Sequence, residues 1–118
     1  MNQLAIIALV TGVPFVLMGL VFKFFPPKDI NSIYGYRTSS SMRNPETWQS
    51  ANQFAAKLMI QMGALLVGVG VITFVLPPSP VTGGLAGIAL VILTVVMQIY
   101  FTEKHISKHF DEKGRRRK

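Results

Sequence analysis

Residues 58–102, LMIQMGALLVGVGVITFVLPPSPVTGGLAGIALVILTVVMQIYFT, run for 45 positions without an Asp, Glu, Lys or Arg. A charged side chain at the centre of a membrane-crossing helix costs about 2.5–3.5 kcal/mol, so a long charge-free run rich in Leu, Ile, Val, Phe and Met is most simply explained by lipid. About 20 helical residues cross a hydrocarbon core roughly 30 Å thick. The run is too long for one crossing and must turn back once. Pro77-Pro78-Ser79-Pro80 is where it does so, because adjacent prolines remove backbone donors and push the preceding residue out of the α region. Two spans follow, over residues 58–76 and 81–102.

The N-terminal side of the chain repeats the pattern. Residues 1–22 contain no Lys or Arg, and an apolar segment over residues 4–25 ends at Pro26-Pro27. It lacks a basic leader and a small-x-small cleavage site and is longer than a usual signal core, so a mature helix is expected rather than a secretory signal. With 118 residues, 50% hydrophobic and only 14% charged, the chain reads as one all-α domain over residues 1–118, an integral membrane protein with three transmembrane helices. A connector over residues 26–57 and a basic tail over residues 103–118 complete it.

Charge sets the expected orientation. The net charge of +7 divides into +3 on residues 23–57, five basic and two acidic, and +4 on residues 102–118, seven basic and three acidic; the proline turn is uncharged. Every basic residue therefore falls on one side of a three-span layout. By the positive-inside rule that side is cytoplasmic, with the N-terminus outside and the C-terminus inside a cell membrane. Both basic regions are placed to meet anionic headgroups of the lipid bilayer. Gly114-Arg115-Arg116-Arg117-Lys118 offers phosphate-binding charge but no stacking aromatics or folded module, so a topology determinant or lipid-contacting tail is expected and no nucleic acid partner. With no cysteine, the chain cannot build disulfides, iron–sulfur clusters or a cysteine nucleophile.

The connector is long for a loop between two spans, and such loops usually carry structure or function. Asn44 is a good N-cap, Pro45 suits the first helical position and Glu46 suits the positive end of the helix dipole. From there one helix of about 32 residues is expected to run unbroken into the second span, with Trp48, Ala51, Asn52 and Ala55 on one face. Trp48 is expected at headgroup level or docked on the preceding loop. In that loop Gly35, between Tyr34 and Tyr36, allows a left-handed or tight backbone, and the two rings are placed to cover Arg37 or to fill the mouth between helices. Asn31, Arg37, Glu46 and Asn52 are expected to converge, with Arg37 and Glu46 as a charge pair. The candidate binding residues are thus Asn31, Tyr34, Gly35, Tyr36, Arg37, Glu46, Trp48 and Asn52. A structural knot and a site for a peptide, headgroup or partner are both compatible with them.

Ile30-Asn31, Gly35-Tyr36-Arg37-Thr38, Ser41-Met42-Arg43-Asn44 and Glu46-Thr47-Trp48 with Ala51-Asn52 together resemble the signature of the SdpI-like family, small bacterial membrane proteins that include immunity proteins against a secreted toxin. The resemblance is close over about residues 26–58 and looser over the whole chain. It implies resistance to an antimicrobial peptide toxin. It also implies a second role, since a family immunity protein acts as a receptor that holds a cytoplasmic transcriptional regulator at the membrane. The better-known immunity protein is longer, with additional spans.

The remaining constellations are weaker. His105 and His109 have a spacing that can bring two imidazoles to one metal, but no third ligand stands at a defined spacing, and no metal or cofactor is expected. Gln61 and Gln98 are the most polar groups of the second and third spans and suit bonding between helices. Ala64-x-x-x-Gly68 and Gly83-x-x-x-Gly87 allow close helix approach, either within one chain or in a homo-oligomer. No ionisable group lies in the middle of a span, which argues against a proton-coupled transporter, and no serine–histidine–acid pattern suggests a hydrolase. Binding rather than catalysis is expected. A receptor or regulatory subunit recruiting a cytoplasmic partner is the alternative; a lipid-headgroup-handling protein or enzyme acting at the Tyr34–Trp48 surface is the other.

Overall fold

A computed structural model describes residues 2–117. Met1 and Lys118, the ends of the first apolar run and of the basic tail, lie outside the described residues. Three α-helices follow in chain order, α1 (Gln3–Phe24), α2 (Pro45–Val75) and α3 (Pro80–His109). All three are long and apolar enough to cross a membrane, and the chain is a multi-pass membrane protein. The three helices start, and α1 and α2 end, within a residue of the expected limits, whereas α3 continues to His109, seven residues past the span expected over residues 81–102.

The helix ends follow from local chemistry. Asn2 caps α1, accepting from the Ala5 N–H at 2.8 Å. Asn44 and Thr47 form a reciprocal capping box at the start of α2, with Pro45 at the first helical position. Ser79 caps α3 ahead of Pro80. The α2 helix runs unbroken for 31 residues out of the apolar zone, as the breaker-free pattern predicts. Pro14 sits inside α1 without ending it, a tolerance common in membrane helices.

The bundle inverts the layout of a soluble domain. Leu65, Ile72, Phe74 and Ile92 are exposed, whereas Ala5, Ala8, Ala51, Ala55 and Ala56 are buried. Lipid is as apolar as leucine, so large side chains gain nothing by turning inward, and helices associate through close backbone approach. At the α1–α2 crossing a Cβ on Gly12 would lie 2.9 Å from the Gly63 carbonyl oxygen, and one on Gly63 would lie 2.7 Å from the Val16 nitrogen. Gly19 against Ile60 and Gly70 against Leu9 repeat this closeness on either side. Gly83 and Gly87 serve the same purpose within the chain, facing Leu4 and Ile7 of α1. Ala64 and Gly68 do not: Ala64 is exposed and a Cβ on Gly68 would meet nothing within 4 Å. Gln98 donates to the Ala55 carbonyl at 3.0 Å, joining α3 to α2, while Gln61 faces outward.

The connector and the tail come together at one end of the bundle and the proline turn lies at the other. There Asn2 Nδ2 donates to the Thr73 carbonyl at 2.6 Å, and Gly83 faces Pro78 and Leu4.

Candidate functional site

The connector wraps the end of the bundle as a knot bonded to each helix. Asn31 turns the chain by accepting from the Ile33 and Tyr34 N–H groups at 2.9 and 2.5 Å, an Asx-turn. That turn aims Tyr34 at the end of α1, where its hydroxyl donates to the Phe25 carbonyl and its ring meets the Phe22 edge at 4.9 Å. Gly35 then adopts φ +117°, and a Cβ there would lie 2.7 Å from Asn52 Oδ1 and 2.9 Å from Pro27. Both its backbone angle and its space call for glycine.

Asn52 and Trp48, one turn apart on α2, hold the loop from below. Asn52 Oδ1 accepts from the Tyr36 N–H at 2.6 Å while its Nδ2 donates to the Trp48 carbonyl at 2.9 Å. Trp48 is fully buried, and its indole N–H donates to the Pro27 carbonyl at 2.6 Å. Of the two expected places, headgroup level or docked on the preceding loop, Trp48 takes the docked one.

The third attachment is to α3 and centres on Glu103. Its carboxylate accepts from the hydroxyls of Tyr36 at 2.5 Å, Thr38 at 2.9 Å and Ser40 at 2.5 Å. An ionised carboxylate is acceptor-only, so three hydroxyl donors suit it well. Thr38 and Ser41 close the intervening turn, Ser41 Oγ accepting from the Thr38 N–H at 2.9 Å and donating to the Tyr36 carbonyl at 3.0 Å. Burial, and then the hydrogen bond to Glu103 and its charge, push the Tyr36 phenol well above its ordinary range. Tyr36 therefore remains a donor across the physiological pH range.

Six of the eight expected residues, Asn31, Tyr34, Gly35, Tyr36, Trp48 and Asn52, meet in this knot. Arg37 lies on its outer rim, exposed, with its Nε donating to the Asn31 carbonyl at 3.1 Å. The expected Arg37–Glu46 pair is not formed. Glu46 instead pairs with Arg116 at 3.5 Å. The reason is helical phase: two residues on a helix turn about 200°, so Glu46 stands across α2 from the Trp48–Asn52 face. Glu103 is not among the eight expected residues. Its signal was its place as the first charge after the 45-residue run, an acid where every expectation was basic.

The basic tail, expected as a topology determinant or lipid-contacting segment, folds back on the bundle end. Phe110 is buried and forms an antiparallel bridge with Arg116 around a turn at Gly114, φ +81°. The Gly114 carbonyl accepts from Asn44 Nδ2 at 2.7 Å, and Arg117 donates to the Ser107 carbonyl at 2.8 Å. Phe110 and Ile106 pack on Ala51 beside Tyr36, which ties the tail to the knot. Its arginines are held by Asp111, Glu46 and backbone carbonyls.

On the neighbouring side of α3, His105 Nε2 lies 2.9 Å from Ser50 Oγ, and its ring stacks on Phe54 at 4.4 Å. His109 Nδ1 faces the His105 carbonyl at 2.9 Å. Among the described residues no third potential ligand completes this histidine pair.

Residues 28–101 match the SdpI/YfhL protein family, a segment that holds most of the loop, α2 and most of α3 and stops two residues short of Glu103. This chain belongs to that family. It is also 45% identical over 64 residues to the uncharacterized protein YfhL of Bacillus subtilis (strain 168). The match covers 54% of this chain and 58% of that relative, so the chain spans somewhat over half its length. No solved structure matches.

Proposed function

We propose that this member of the SdpI/YfhL family gives resistance to a secreted membrane-active peptide by binding rather than catalysis. The observation that carries this reading is the attachment of one loop to all three helices, at Phe25, Asn52 and Glu103. A peptide that changes how the spans sit against one another must strain those bonds, and the rim residues Arg37 and Ile33, the latter 90% exposed, carry the change to the membrane surface. The same coupling suits a receptor that recruits a cytoplasmic regulator, the second reading, because the rim faces outward from a rigid base.

In this reading the knot and tail are cytoplasmic, as the one-sided basic charge requires. Cysteine scanning tests the orientation in a chain with no native cysteine. Cysteine at Ser79 should react with an impermeant thiol reagent added to intact cells, and cysteine at Ser107 should not; the reverse pattern rejects the topology.

Function is tested by expressing the chain in a sensitive bacterium challenged with membrane-active peptides. Arg37→Lys keeps the charge but loses the planar five-donor fork. It should accumulate normally and lose most protection. Full protection by this variant would reduce Arg37 to a simple positive charge, and no protection by the parent chain against any peptide tested would remove the resistance reading.

A further inference from the structure

A cleft of about 380 Å³ opens between the end of α1, the emergent part of α2 and the rim of α3, on the side of the bundle occupied by His105 rather than Glu103. Its polar wall carries Lys23, Lys57, Ser50 and His105, and its apolar wall is formed by Phe22 and Phe54. No acidic side chain lines it. Both lysines are exposed, and neither takes part in an ion pair among the described residues.

Its depth is given by the sequence. Lys23 is the first basic residue after the apolar part of α1, and Lys57 is the last charge before the 45-residue run begins. His105 lies three residues beyond the end of that run. The cleft therefore sits where hydrocarbon gives way to headgroups on all three helices, with cations and aromatic rings side by side at that boundary. An amphiphile with an anionic head matches this pairing. A lysine ammonium is a compact charge suited to phosphate, and the Ser50–His105 pair adds a neutral hydrogen-bonding edge.

We infer that this cleft binds the phosphate headgroup of an anionic phospholipid from the leaflet facing the connector. Lys23 and Lys57 supply the charge, Ser50 orients the head, and Phe22 and Phe54 give the cleft its apolar wall. The site shares no residue with the Glu103 cluster, touches the knot where Phe22 meets Tyr34, and does not depend on the resistance reading. A bound lipid would fill the gap between α1 and α2 just below the loop.

The test uses the purified full chain in detergent, titrated with phosphatidylglycerol, phosphatidylcholine or inorganic phosphate and read by native mass spectrometry. Phosphatidylglycerol should be retained at least tenfold more strongly than phosphatidylcholine. Lys23→Gln with Lys57→Gln should remove that preference, Lys23→Arg with Lys57→Arg should keep it, and the charge-matched control Lys28→Gln with Lys108→Gln should leave it unchanged. Equal retention of the two lipids, or equal loss in the control, means that diffuse surface charge is responsible and overturns the site. Inorganic phosphate displacing the lipid at low millimolar concentration would make it a free-anion site and overturn the lipid assignment. Resistance assays on the same variants read the proposed function separately.

Discussion

The crossing of α1 and α2 and the knot above it join the same helices by opposite means. At the crossing, glycines let backbones meet and hardly a polar side chain takes part. In the knot, hydroxyls, amides and one carboxylate make the contacts, and burial is confined to a few groups such as Trp48 and Ser41. The difference marks the change of solvent. Within lipid, burying an apolar side chain gains little and contact must come from close fit. At the headgroup boundary, water competes for every polar group, and only bonds gathered on a rigid base hold a loop in one conformation.

The crossing is the easier of the two to break. Gly63→Leu places side-chain atoms where the Val16 backbone and the Gly12 carbonyl already stand, and the helices must part. A loss of about 3 kcal/mol or more is expected, at the upper end of the range for overpacking, read as a large fall in melting temperature in detergent. Gly68→Leu, on the open face, should change it little. Equal damage by both substitutions would mean that Gly68 meets a second copy of the chain, and would place a homo-oligomer contact on that face.

A smaller effect is expected in the knot. Glu103→Gln keeps the shape but removes the charge that gathers Tyr36, Thr38 and Ser40, at a cost of about 1–3 kcal/mol. Hydrogen exchange should rise in residues 36–41 while the α1–α2 crossing stays protected. Exchange rising through all three helices would show that knot and crossing form one cooperative unit, which would sharpen the relay proposed above.

Much of the fold was legible because its causes are local. The number of spans follows from the absence of charge over residues 58–102, the hairpin from Pro77–Pro80, and the start of α2 from Asn44-Pro45. Even the backbone of Gly35 and the inward face of Trp48 and Asn52 could be read from neighbours a few positions away. The candidate site was legible in part: six of the eight candidate residues meet in the knot, but of the four expected to converge Arg37 and Glu46 stand outside it, and the partner on α3, Glu103, has no local signal that joins it to the loop.

What the sequence by itself determined about this protein is the set of segments that lipid accepts and the side on which its charges collect, since both depend on the transfer free energy of each residue. Only the tertiary structure decided which distant groups meet. Glu103 lies 63 to 67 positions from its three hydroxyl donors, Glu46 finds Arg116 rather than Arg37, and Gly63 rather than Gly68 faces α1. Each of these outcomes depends on how the helices are rotated about their axes. That rotation is set by the fit of whole helix faces to one another, which no single residue or local spacing encodes.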